Sequence, residues 1–192
     1  MPDAGPRLPT DQQRLYDEVV AAFGPALVRL AVAYERDSDR RQDLLQDIHF
    51  ALWRSLAAFD GRCALRTWVY RVAHNVATSH AMRDHRRGHM LVGLESLEDA
   101  PPHRGDDATP LDERLDVERQ RGRLAALIEQ LSAPDRQLVL LYLEELDAAT
   151  IGEVTGLSAA NVATKIHRIK RVLARRVLAE RAPIHSEVTH DP

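Results

Sequence analysis

A single cysteine, Cys63, stands in the 192 residues of this chain. It excludes an internal disulfide and fits a reducing cytoplasm. Aromatic residues are scarce at 5%, and glycine occurs only 9 times. With Ala, Leu, Val and Arg abundant, that composition favours helices, and no stretch alternates apolar and polar residues as a strand would. Long hydrophobic runs are missing too. The longest, Leu138–Leu143, is far too short to cross a bilayer, and Met1–Pro6 lacks the apolar core of a signal peptide, so no membrane insertion is expected. A surplus of positive charge is also absent: the formal net charge is −3, which by itself argues against a nucleic-acid partner.

The distribution of charge reverses that inference. Lys165, Arg168, Lys170, Arg171, Arg175, Arg176 and Arg181 crowd one C-terminal stretch against a single acid, Glu180. Arg62, Arg66, Arg71, Arg83, Arg86 and Arg87 form a second cluster against Asp84. Between them, residues 95–118 carry nine acids and two bases. Basic, acidic, basic is the pattern of two phosphate-facing modules joined by an acidic connector.

Punctuation residues divide the chain in the same way. Residues 1–9 are expected to be disordered. Thr10 with Gln13 is suited to a capping box that opens a first helix, ended by Gly24-Pro25, and a second runs from Pro25 to about Arg36. Asp37-Ser38-Asp39 starts a third to about Ala58, and a fourth covers about Leu65 to Arg86. Prolines and glycines cluster in 88–110, which reads as a flexible linker. A helix near Leu111–Leu131 comes next, then Ser132-Ala-Pro-Asp135 as the start of another ending near Glu145. The expected fold is therefore all-α, with two small helical domains, 10–87 and 111–181, joined by the acidic flexible linker 88–110.

The C-terminal domain carries the sharpest signal. Val162, Ile166, Ile169 and Leu173 make one apolar stripe, while Asn161, Thr164, Lys165, Arg168, Arg171 and Arg175 lie opposite. A short helix and a glycine turn precede it. Gly152 permits a close helix crossing, Gly156 suits a left-handed turn, and Ser158 caps the two-faced helix. This is the grammar of a helix-turn-helix, whose second helix enters the major groove. A plain helical hairpin with a solvated basic face is the bland alternative. In the third helix, Leu45, Ile48, Leu52, Leu56 and Phe59 make the expected core seam. Asp43, Gln46, Asp47, Phe50 and Arg54 lie opposite, with Trp53 on the flank, which suits protein docking. In the fourth, Leu65, Val69, Val72, Ala73 and Val76 face inward and leave Thr67, Arg71, His74, Asn75 and Thr78 polar, a face suited to melted DNA. For both helices, ordinary packing or solvation is the competing reading.

These residues carry a family resemblance. Asp43–Trp53, Phe59–Gly61 and Leu65–Asn75 together resemble region 2 of bacterial RNA polymerase sigma factors, with the extracytoplasmic-function (ECF) group of the sigma-70 family most similar. Leu131–Leu143 and the helix-turn-helix after it look like region 4. The resemblance implies a transcription initiation factor that brings core polymerase to promoters and helps melt them. It implies that Asp43, Leu44, Gln46, Asp47, Phe50 and Trp53 dock on the clamp of the polymerase's largest subunit. Asp60, Arg62, Arg66, Arg71, His74 and Asn75 would read and open the −10 element. Ser158, Asn161, Thr164, Lys165, Arg168 and Arg171 would read the −35 element. The flap of the second-largest subunit and an anti-sigma factor are further implied partners. His74, Ser79, Ala163 and His49 depart from the usual pattern.

Two rival functions compete with this one. An enzyme would need a catalytic constellation, and no Ser/His/Asp or Cys/His set is apparent; no cofactor is implied. His80, His85 and His89 invite a metal, but Gly88 interrupts the helix and Cys63 is the only thiol, so no metal site is assigned. A helix-turn-helix regulator acting without polymerase would not need the aromatic-acidic third helix.

Overall fold

The computed structural model describes residues 9–85 and 113–179, and every regular element among them is an α-helix. The expected linker 88–110 and both termini lie outside the described residues. The described residues form seven helices, in order: α1 Pro9–Tyr34, α2 Ser38–Leu56, α3 Leu65–His85, α4 Glu113–Gln130, α5 Ala133–Leu143, α6 Ala148–Thr155 and α7 Ala159–Ala179.

The first difference from expectation is at Gly24-Pro25, where one helix runs on instead of ending: Pro25 lies inside α1. Proline removes one donor from a helix interior, orphaning a carbonyl one turn back. Here Ala21 and Pro25 are both exposed, so water can satisfy that carbonyl.

In α2, Asp37 caps the first turn by accepting from the backbone N–H groups of Asp39 and Arg40, at 3.1 and 2.9 Å. Leu44, Ile48, Leu52 and Leu56 are all fully buried. Burying side chains of this size stabilises by roughly 2 kcal/mol each, enough to hold an otherwise polar helix against its neighbours. Val19, Leu27, Leu30 and Ala31 of α1 and Val69, Ala73 and Ala77 of α3 complete this first core.

The second core is built by α4–α7, from Leu127, Ile128, Leu131, Leu138, Leu141, Ile151, Val162, Ile166 and Ile169 among others. Ser132 starts α5 by accepting from the Asp135 N–H. Asp147 starts α6 by accepting from the Thr150 N–H at 2.7 Å. Gly156 ends α6 at φ 79°, a left-handed residue where a side chain would be strained. A Cβ on Gly152 would come within 2.6 Å of the Leu157 carbonyl oxygen, so only glycine lets the turn fold back this closely.

The two cores are not separated. Ala26 and Tyr70 from the first half pack into the second core, and Ala133 packs into the first. α3 touches α2 and α1 on one side and α5 and α6 on the other. This explains why Thr67 and His74, expected on a polar outer face, are 2% and 1% exposed. One helix serves as a wall for both halves.

Candidate nucleic-acid and protein-docking interfaces

The docking candidate on α2 is an aromatic and acidic surface next to α1. Asp43, Gln46 and Asp47 are exposed, and Phe50 keeps 60% of its surface in water with the Arg54 guanidinium 5.6 Å from its ring centroid. Trp53 is half-buried. An open cleft of about 430 Å³ runs along this face, with Gln46, Asp47, Phe50 and Trp53 on its α2 side. Its other side is Gln13 and Tyr16 of α1, which sequence reasoning missed. The Tyr16 ring meets Trp53 edge-on at 5.4 Å, and its hydroxyl hydrogen-bonds Nδ1 of His49 at 3.0 Å. Burial lowers the His49 pKa. No local signal could have found Tyr16, because its partners lie more than thirty residues away. Leu44 is a correction: expected on this surface, it is fully buried in the first core and touches no solvent.

The −10 candidates divide into four places, one of them the core. In the loop before α3, Arg62 pairs with Asp60, whose carboxyl is held below its usual range by the Arg62 backbone N–H and then by the guanidinium. On one flank of α3, Arg66 lies 5.7 Å over the Tyr70 ring centroid and donates to the Glu144 carbonyl. Arg71 donates to the Glu153 carbonyl at 2.8 Å. Both arginines therefore face the helix-turn-helix half. Asn75 is exposed and lines a different cleft, with Asp47, Val76, Ser79 and Arg83.

His74 is a second correction. It is 1% exposed, stacks obliquely beside Tyr70, and its Nδ1 has no hydrogen-bond partner. Burial pushes its pKa down to about 3, so it is a neutral core residue here and reaches no ligand. Of the histidines that invited a metal, His80 spends Nε2 on the Glu35 carboxylate at 3.0 Å, and His89 lies outside the described residues. Burial raises the Glu35 pKa, but His80, the Asp37 N–H and Arg40 together outweigh it and the net shift is downward.

The helix-turn-helix surface is the most regular of the three. The Ser158 hydroxyl accepts from the Asn161 N–H at 3.3 Å and so caps α7. Val162, Ile166, Ile169 and Leu173 are buried beneath it. Asn161, Thr164, Lys165 and Arg171 are exposed, and Arg168 is half-buried. The Thr164 hydroxyl donates back to the Ala160 carbonyl at 3.0 Å, leaving it as an acceptor outward. Lys165 stands 3.7 Å from Asp135, a loose pairing open to solvent on the lysine side, where a phosphate could take over the cation. The face combines short polar groups near the helix N-terminus with cations further on, as major-groove reading requires.

Comparison with known proteins agrees with this geometry. Residues 19–88 match the family model described as Sigma-70 region 2, and residues 121–173 match Sigma-70, region 4. The chain is 30% identical over 159 residues to the RNA polymerase sigma-H factor of Pseudomonas aeruginosa, covering 82% of this chain and 78% of that one. It is 24% identical over 173 residues to the ECF RNA polymerase sigma factor SigW of Bacillus subtilis, covering 86% and 90%. Among solved structures, CnrH in complex with the cytosolic domain of CnrY shares the fold, with a TM-score of 0.60, 23% identity, and 88% and 90% of the two chains covered.

Proposed function

The chain belongs to the sigma-70 family as an ECF-type sigma factor, a transcription initiation factor that binds core RNA polymerase and directs it to promoters, and we propose a division of that work among its surfaces. The first half, 10–87, docks on the clamp of the largest polymerase subunit through Asp43, Gln46, Asp47, Phe50 and Trp53. Tyr16 braces that surface from behind. Asp60, Arg62, Arg66, Arg71 and Asn75 engage the −10 element. The second half, 111–181, engages the −35 element through Ser158, Asn161, Thr164, Lys165, Arg168 and Arg171, and meets the flap of the second-largest subunit. The linker, 88–110, connects them. Phosphodiester chemistry belongs to the polymerase, and this chain performs none.

The observation that carries the docking assignment is Phe50. A phenylalanine left 60% exposed at the edge of an open cleft that also holds the Asp47 carboxylate is costly to hydrate and gains by being covered. An anti-sigma partner is proposed by analogy with the relative solved with the cytosolic domain of CnrY. No described helix is long and apolar enough to cross a membrane, and action beside polymerase in the cytoplasm is part of the proposed role.

The test is co-purification with core polymerase and then run-off transcription. Asp47→Lys combined with Phe50→Ala should abolish both while leaving the circular dichroism spectrum and melting temperature near wild type. Both side chains are exposed, so unchanged polymerase binding would refute the docking face.

A further inference from the structure

We propose that Glu144 is a latch that holds the two halves of the free chain shut and occupies the arginines of α3 until polymerase draws the halves apart. The latch rests on the promoter-reading roles proposed for α3 and α7.

Glu144 sits at the C-cap of α5, in the second half; its N–H closes the end of α5, while its carboxylate and its carbonyl oxygen take their partners from the first half. Arg29 of α1 grips its carboxylate with Nε and Nη2, both at 2.8 Å. The Tyr70 hydroxyl of α3 donates to Oε2 at 3.1 Å. The guanidinium of Arg66 donates to the Glu144 backbone carbonyl. One residue thus ties two helices, and Arg71 adds a tie to the Glu153 carbonyl. The corner that carries Glu144 is strained: Glu145 comes next at φ 61°, a left-handed residue without glycine's freedom. Its N–H bonds the Tyr142 carbonyl at 3.0 Å, and Leu146 bonds Leu141 at 3.3 Å, closing the helix end in a Schellman turn.

This arrangement is incompatible with promoter reading by both halves together. The −10 and −35 elements are about 25 base pairs apart, roughly 85 Å at 3.4 Å per pair. In the closed chain, α3 lies in direct contact with α6 of the helix-turn-helix. The two readers therefore have to separate. Arg66 and Arg71 also have donors engaged by carbonyls that phosphates would need to displace. A fork-shaped ion pair at a partly wet rim suits a reversible catch, because its bonds exchange with water as it opens: Arg29 keeps 60% of its side chain in solvent, Glu144 only 21%.

The experiment uses the full chain, with Cys63→Ser and spin or dye labels at Ala57 and Ala174, both exposed. Wild type should give one short interlabel distance. Glu144→Ala should shift the closed-to-open ratio about tenfold toward a longer distance, the scale of a single charge-assisted interaction. It should also raise the affinity of the free chain for promoter DNA several-fold. Arg29→Ala with Tyr70→Phe, which strips the same carboxylate from the opposite side, should reproduce this and add nothing to Glu144→Ala. If neither variant changes the distance distribution or the affinity, the latch is refuted. Should Glu144→Ala unfold, the Arg29/Tyr70 pair decides alone. Run-off transcription by wild type with core polymerase separates the two ideas: its failure removes the promoter roles, whereas an unmoved label distance removes only the latch.

Discussion

The Arg136 guanidinium lies 5.1 Å over the ring centroid of Tyr34, at a point where three helices converge. Arg136, on α5, is 4% exposed and donates to the Ala33 carbonyl at 3.3 Å, the Leu131 carbonyl at 3.2 Å, and the Glu129 carbonyl. Those carbonyls belong to the ends of α1 and α4, where backbone oxygens lack intrahelical partners and the helix dipole is negative. The Tyr34 hydroxyl, pushed up to about 12 by burial, donates to the Ala133 carbonyl at 3.4 Å. Burial lowers the Arg136 pKa, yet a guanidinium starts so high that it stays charged.

Arg136→Met should therefore destabilise the chain by about 2–4 kcal/mol, because several buried carbonyls lose their donor together. Arg136→Lys keeps the charge but not the fork, and should fall between. Urea denaturation reads both. A loss under 1 kcal/mol for the methionine variant would show that water replaces the guanidinium.

Gly152→Ala makes a prediction of opposite sign to helix propensity. In an open helix the change would stabilise by about 1 kcal/mol. Here the new Cβ meets the Leu157 carbonyl oxygen, a backbone atom that cannot swing aside. The variant should lose about 1–3 kcal/mol and weaken −35 binding, since α7 is displaced relative to α6. A raised melting temperature would contradict the close crossing.

His74 sets a pH dependence. Its pKa is about 3 when folded, against an ordinary 6.5 for an exposed histidine. Below 6.5 the unfolded chain therefore binds a proton that the folded chain refuses. Stability is lost as the pH falls from about 6.5 toward 3, with a limiting slope of about 1.4 kcal/mol per pH unit from this residue. Comparing His74→Leu with wild type between pH 7 and 4.5 isolates that contribution. Parallel stability curves would mean that His74 takes up its proton in the folded state.

Lys165→Ala with Arg168→Ala should weaken binding to a −35 fragment and flatten the plot of log affinity against log salt, by up to about 0.9 for each phosphate contact removed. An unchanged slope with lost affinity would indicate contacts to bases alone. Loss of helicity would mean the two residues are structural.

Helix rotation and tertiary cover separate the residues legible in the sequence from those that were not. Along α2 the repeat of apolar residues was legible, but its seam was expected to pass through Leu45. The structure buries Leu44 fully and Leu45 only in part. Both stand within one turn of Ile48, at i−4 and i−3, and a helical wheel cannot choose between them. Packing against α1 and α3 chooses. Phe50 was legible as surface because it lies opposite either seam, whereas Tyr16 was invisible because its contacts are made across a helix pair.

Local grammar alone determined the helical class, the caps at Asp37, Ser132 and Ser158, the glycine turn and the two-faced α7, since each depends on backbone sterics and hydrogen bonds within a few residues. Tertiary structure alone decided that Thr67 and His74 are buried, that Arg66 and Arg71 bond the opposite half, and that Glu144 gathers three partners. A polar side chain carries no mark of whether water or another part of the chain will cover it. That depends on which surfaces lose less by meeting each other than by staying hydrated, and only the assembled fold supplies both sides of that balance.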